Sequence, residues 1–253
     1  MRVELLPSSL PVSDAQFLVT YLVNNTVAID AVSLGLVADL RRQQSVRQVF
    51  ITHEHLDHIA TLPLFLENVY DPGPDCVEVL ASASVLRFLH DDIFNGRVWP
   101  DFFRLSQPED AFVQATVLEP MVPVWRAGLS VTPVPVSHCV ETMGMVVDDG
   151  TAAVAFPSDT GPTEALWRFL AGVPRLRAVF LEASFPASRA DLAAVTGHHC
   201  TTTFAAEITR LGRDIRWIVV HRKPRFAAEI ARELDEMGLP GVELVRPGHT
   251  YEF

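Results

Sequence analysis

The chain has 253 residues, 49% hydrophobic and 20% charged, enough apolar material for a sizeable buried core. Its 31 acidic residues outnumber the 20 lysines and arginines, giving a formal net charge of -11. A field of that sign repels polyanions and argues against broad binding to long DNA or RNA, while leaving room for a local pocket that holds one phosphate.

The N-terminal stretch MRVELLPSSLPVSDAQFLV carries Glu4 and two prolines and has no unbroken apolar run of signal-peptide length. No window approaches the roughly 20 apolar residues that span a bilayer. Cys76, Cys139 and Cys200 are odd in number and lack paired spacing. A cytoplasmic protein with free thiols is therefore expected.

In chain order, β-type apolar runs appear at TVAID, RQVFITH, CVEVL, LSVTPVPVSH, MGMVVDD, AAVAFPSD, RAVFLEAS, RWIVVH and GVELVRPG. Between them lie helical patterns: LGLVADLRRQQ, LDHIATLPLFLEN, SASVLRFLHDD, PTEALWRFLAG, TTFAAEITRLG and PRFAAEIARELDEMG. Pro162 and Pro224 stand where helices can begin, and Gly238 follows the last turn of its helix. The alternation predicts mixed sheets with helices outside, in one domain over residues 1–253.

Four runs end in a side chain that can bind a metal: FITH in His53, PVSH in His138, AFPSD in Asp159 and IVVH in His221. In open α/β folds functional groups gather at the carboxyl ends of strands, so one rim would bring these distant residues together. The densest segment is Thr52-His53-Glu54-His55-Leu56-Asp57-His58. His53 and His55, two apart in an extended turn, can face one ion, while Asp57 and His58 open a helix toward a neighbouring position. Imidazoles with a carboxylate suit divalent transition metals; zinc is the default, with manganese or iron also compatible.

THEHLDH resembles the metal-binding signature of the metallo-β-lactamase superfamily, and VSHCVETMG, FPSDTGPT and VVHRKP follow in matching order. That resemblance implies an αββα sandwich of two mixed β-sheets flanked by helices. It also implies two ions, one on His53, His55 and His138, the other on Asp57, His58 and His221, with Asp159 bridging.

H-x-H-L-D-H-I, the LPLFLEN helix, SDTGPT, LEASFP, the Gly197-His198-His199 stretch, HRKP and the closing YEF are similar to class II 3',5'-cyclic-nucleotide phosphodiesterases, over roughly residues 17 to 253. Two departures from that family fall near the site. Its usual G-H-L-T-P reads Gly197-His198-His199-Cys200-Thr201 here, and Val32 stands where a glycine commonly follows the alanine. LEASF with a later Gly-His also resembles the superfamily's transfer-RNA 3'-processing nucleases, in which a glutamate orients a phosphate-contacting histidine. Glu182 and His198 take those roles here, His198 rather than His199 because it directly follows Gly197.

The resemblance implies hydrolysis of a small, 3',5'-cyclic nucleotide to its 5'-monophosphate by a two-metal-activated hydroxide near Asp159, oriented by Asp57. His198, held by Glu182, would stabilise the phosphoryl oxygens or protonate the leaving oxygen. The alternatives are an RNA 3'-processing nuclease, a lactonase or other carbon-ester hydrolase, and a non-catalytic metal-stabilised binding protein. A small phosphodiester is the expected partner, with a homodimer the common default for such enzymes and no membrane partner. His90 and His249 lack neighbouring ligands, and residues 93–103, rich in aromatics, are expected to pack on the body rather than wall the site.

Overall fold

The computed structural model describes residues 1–9, 18–71, 73, 75–107 and 109–253. Residues 10–17 of the stretch read for a signal sequence, including Phe17 where the family similarity begins, lie outside the described residues.

The strands are β1 (Arg2–Leu5), β2 (Tyr21–Val23), β3 (Val27–Ile29), β4 (Gln48–Phe50), β5 (Glu78–Ala81), β6 (Gln114–Val117) and β7 (Val124–Arg126). There follow β8 (Leu129–Pro135), β9 (Met143–Asp148), β10 (Ala153–Ser158), β11 (Leu176–Glu182), β12 (Arg216–Val220), β13 (Val242–Leu244) and β14 (Thr250–Glu252). Among the described residues they form two 7-stranded sheets, ordered β14-β1-β2-β3-β4-β5-β6 and β13-β12-β11-β10-β9-β8-β7.

Each sheet is mixed. Neighbours β3 to β6 are parallel, as are β10 to β13, whereas the rest pair antiparallel. Local chemistry explains the antiparallel parts. β7 and β8 meet through Ala127 and Gly128, both at positive φ (49° and 77°), a two-residue turn whose twist matches that of the strands. Pro133 and Pro135 fall in β8 beyond the residues that pair with β7, so neither removes an N–H from that ladder.

Parallel neighbours need crossovers, and helices supply them. The first sheet is connected through α1 (Leu40–Gln44), α2 (Leu56–Ile59), α3 (Leu62–Asn68), α4 (Ala83–Phe88) and α5 (Phe102–Leu105). The second uses α6 (Ala165–Ala171), α7 (Ala190–Thr196), α8 (Thr201–Leu211) and α9 (Ala227–Met237). One apolar cluster lies between the sheets, joining Tyr21, Ile29 and Phe50 to Phe156, Phe180 and Ile218. A second seals the outer face of the first sheet with Ile59, Phe65 and Val85, and a third covers the other sheet with Leu166, Phe204 and Ile230. Apolar burial on both faces of both sheets gives the four-layer αββα sandwich that the sequence implied.

Several local expectations change. LDHIATLPLFLEN forms two helices, because Pro63 at the start of α3 cannot continue α2. LGLVADLRRQQ is likewise divided: a 3-10 turn covers Leu34–Leu36, and Asp39 caps α1 by accepting from the Arg41 N–H. Pro162 precedes α6 without opening it, whereas Pro224 begins a 3-10 turn that leads into α9, and Gly238 caps α9 at φ 57°. Residues 93–103 pack as expected on the outer cluster, with Phe94 and Phe102 buried and Trp99 half-buried. Among the described residues no helix is long and apolar enough to cross a membrane.

Candidate metal centre

β8 and β10 both run antiparallel to β9 and so share a direction, which β12 continues. Their carboxyl ends face that of β4 from the opposite sheet. His53 and His138 lie shortly beyond β4 and β8, while Asp159 and His221 directly follow β10 and β12. The chain turns sharply there: Ser158 and His221 have φ of 63° and 53°. Non-glycine residues in this region carry backbone strain of about 1 kcal/mol or more, held in place by the surrounding structure.

Two donor groups share Asp159. In the first, His55 Nδ1 lies 3.1 Å from His53 Nε2 and 3.3 Å from His138 Nε2, and Asp159 Oδ2 is 3.9 Å from His53 Nε2. In the second, Asp159 Oδ2 lies 3.3 Å from His58 Nε2 and 3.2 Å from His221 Nε2, with Asp57 Oδ2 3.9 Å from His221 Nε2. One ligand atom from each member of a group falls within 4.8 Å of all the others. The structure thus brings together every residue expected as a metal donor.

Partners behind the rings set which nitrogen faces inward. His138 Nδ1–H donates to the Gly197 carbonyl at 2.9 Å, leaving Nε2 for the centre. His58 Nδ1–H donates to Asp30 Oδ2 at 2.6 Å, and His53 Nδ1 lies 3.0 Å from Thr52 Oγ1. Thr52 in turn donates its hydroxyl and amide to Asp30. Asp30 therefore orients His58 directly and His53 through one threonine. Gly197 is needed as glycine: its φ is 68°, and a Cβ would lie 3.0 Å from His138 Cα and the Cys139 amide.

A second cluster abuts the first two, because Asp159, Glu182 and His198 also place ligand atoms within 4.8 Å. His198 Nδ1–H donates to Glu182 Oε1 at 2.7 Å. The same carboxylate accepts from the Thr160 amide, the Ser184 hydroxyl and the His199 amide. Ser184 Oγ also lies 2.9 Å from the His221 carbonyl oxygen, which places this carboxylate beside the strained turn. His199 turns away, its Nδ1 3.0 Å from Thr203 Oγ1.

Electrostatics separate the rings. Burial, reinforced by His58, lowers the His53 pKa well below the usual imidazole value, and burial also lowers that of His138. Burial opposes the charged form of His58, yet Asp159 and Asp30 outweigh it and raise its pKa well above that value. Burial would raise the carboxyl of Asp159, but His221 and His58 hold it well below the ordinary range. At His198 burial is likewise outweighed by Glu182 and the pKa is raised, while burial pushes His199 down to about 4.

The residues fit a pair of divalent ions. Nitrogen and carboxylate oxygen atoms converge, the His53, His58 and His138 rings are held by outer partners, and buried His58 Nε2 and Asp159 Oδ1 make no hydrogen bond. Such orphaned atoms are costly unless a cation completes them.

Sequence reasoning missed Asp30, Thr52, Ser184 and Gly197 as supports. Asp30 had a signal, since TVAID also ends in a carboxylate; the others act through contacts that no local pattern displays. Two further groups reach the donors. Cys139, exposed, has Sγ 3.5 Å from His138 Nε2, and Lys223 Nζ lies 3.2 Å from His221 Nε2. Val32, at the position where the similar family commonly has glycine, is buried. His90 and His249 are exposed; His90 pairs with Asp91, and His249 packs edge-on against Tyr251.

Known proteins resemble this chain in sequence and fold. A Yersinia pestis protein named "Probable 3',5'-cyclic-nucleotide phosphodiesterase" is 27% identical over 88% of this chain and 74% of its own length. A "3',5'-cyclic-nucleotide phosphodiesterase" of Aliivibrio fischeri is 26% identical over 55% of this chain and 46% of its own. Among solved structures, unliganded yeast PDE1 superposes with a TM-score of 0.75 at 16% identity, covering 98% of each chain. The short form of human tRNase Z gives 0.69 at 15%, covering 100% of this chain and 99% of its own. Both show the same fold. The pattern described as "Beta-lactamase superfamily domain" matches residues 25–234, and the chain belongs to that family, as a hydrolase of the metallo-β-lactamase fold.

Proposed function

We propose that this chain is a two-metal phosphodiesterase that hydrolyses a small 3',5'-cyclic nucleotide to its 5'-monophosphate. One observation carries the reading beyond a generic hydrolase: a buried Glu182–His198 pair stands against the shared donor Asp159. A proton donor beside two cation sites suits an ester whose leaving oxygen must be protonated as the phosphorus is attacked. The similarity to proteins named as cyclic-nucleotide phosphodiesterases supports that substrate class.

In this reading His53, His55 and His138 would hold one ion and Asp57, His58 and His221 the other, with Asp159 within reach of both groups. Two divalent ions, zinc by the chemistry of the donors, would make water nucleophilic near neutral pH and offset phosphoryl charge. Asp57, half-buried at the rim, accepts a hydrogen bond from the attacking water and aims it at phosphorus. The new P–O bond forms as the bond to the 3' oxygen breaks. His198 gives that oxygen its Nε2 proton, while Nδ1–H stays on Glu182. Because Glu182 raises the His198 pKa, the donor keeps its proton at higher pH than a free imidazole would.

The tRNase Z likeness keeps an RNA-processing reading in view, and the net charge of -11 weighs against it. A substrate panel separates the readings: cyclic AMP, cyclic GMP, bis(p-nitrophenyl) phosphate, a precursor transfer RNA and an acyl lactone, all with metal-loaded protein. Turnover of a cyclic nucleotide is expected. Activity on the precursor RNA alone, with strong salt dependence, would replace this reading with the nuclease; lactone turnover alone would replace it with a carbon-ester hydrolase.

A further inference from the structure

Resting on the two-ion reading proposed above, we infer that the Lys223 ammonium competes with the second ion for Asp57 and His221. The two donor groups then fill in order, His53, His55 and His138 first. Lys223 Nζ lies 3.2 Å from His221 Nε2 and 4.0 Å from Asp57 Oδ2. His221 Nε2 is the atom that faces Asp159, and Asp57 Oδ2 is the oxygen that faces His221. The cationic side chain therefore stands on the atoms that a second ion would use.

Among the described residues, no lysine or arginine stands on the first group in this way. Among the described residues, the hydrogen bonds and ion pairs of His53, His55 and His138 include no lysine or arginine. A dication and an ammonium about 4 Å apart repel each other even in high dielectric, enough to weaken the second ion roughly tenfold or more.

The result is competition, and not exclusion, because Lys223 is half-buried on a long flexible stem and can turn outward. Displacing it costs part of the binding energy of the second ion alone. The first ion is then a resident of the protein, whereas occupancy of the second group follows the free metal concentration. Lys223 thereby sets the metal concentration at which the complete centre assembles.

Zinc titration of the full metal-free chain against a chromophoric chelator tests this, with ions per chain counted by native mass spectrometry. Wild type is expected to show two stepwise constants separated by about tenfold or more. Lys223→Met should tighten the second constant by about tenfold and leave the first within about twofold. Lys223→Arg, which keeps a cation, should preserve the gap. An unchanged second constant in Lys223→Met, or an equal shift of both constants, would overturn the role of Lys223. One ion per chain in every variant at saturating zinc would instead overturn the two-ion reading, and the ordered filling with it.

Discussion

The two donor groups that meet at Asp159 differ in charge more than in shape. The first is three imidazoles delivered from the ends of β4 and β8, with His53 and His138 favoured neutral by burial. The second adds Asp57, backs His58 with Asp30, and has Lys223 in front. A neutral set of nitrogens is ready for a cation at all times. A set with carboxylates attracts cations of every kind, and in this fold a lysine and a ring with a raised pKa already answer that demand. Strand ends can thus place two similar sites side by side while the residues behind and before them set unequal affinities.

The largest test removes what the groups share. Asp159→Ala should lower turnover by about 10³-fold or more and reduce metal content in both groups, since its carboxylate faces both. If metal analysis showed loss from one group only, Asp159 would belong to that group alone.

Next comes the pair beyond the ions. His198→Ala should cost about 10²-fold or more in turnover with metal content unchanged. Glu182→Gln should shift the alkaline fall in activity to lower pH. The sign follows from the carboxylate, which raises the His198 pKa; without it the ring loses its proton sooner. An unchanged pH profile would reduce Glu182 to a purely structural support.

A smaller effect distinguishes the groups by their backing. Asp30→Asn should weaken metal binding to the second group by about 10- to 100-fold and touch the first less, because Asp30 reaches His53 only through Thr52. Equal weakening of the two stepwise constants would contradict that asymmetry.

The smallest effect concerns the neighbour that points away. His199 has a folded pKa of about 4, below the unfolded value near 6.5, so the unfolded chain takes up its proton first. Stability is therefore lost as pH falls through that window, by about 2 kcal/mol between roughly pH 7 and pH 5. Denaturant titrations of His199→Gln at both pH values should show a loss smaller by about that amount. An equal loss in both proteins would remove His199 as the source of acid sensitivity.

Much of this contrast was legible in the sequence, though unevenly. THEHLDH stood out because four donors lie within one turn and the start of α2, and His138, Asp159 and His221 because long buried strands announce their own ends. The edge strands β6 and β7 were not legible: both are short, β6 is mostly exposed and β7 at most half-buried, so neither shows a long apolar run. β1 and β14 are also short, and they find each other only because the two ends of the chain pair. Gly197 and Ser184 could not be assigned their roles for a related reason. Each acts on a residue far along the chain, by a backbone carbonyl or a single hydroxyl. Lys223 was visible within HRKP, but its position over Asp57 depends on α2 and the end of β12 meeting in space.

The most direct test of the whole account is the rate of cyclic AMP hydrolysis, followed by phosphorus NMR, as zinc is added to chain that already holds one ion. The account predicts that 5'-AMP appears as the single product and that its rate rises in step with occupancy of the second group. Fully loaded protein, two ions counted per chain, that leaves cyclic AMP and cyclic GMP intact would contradict it.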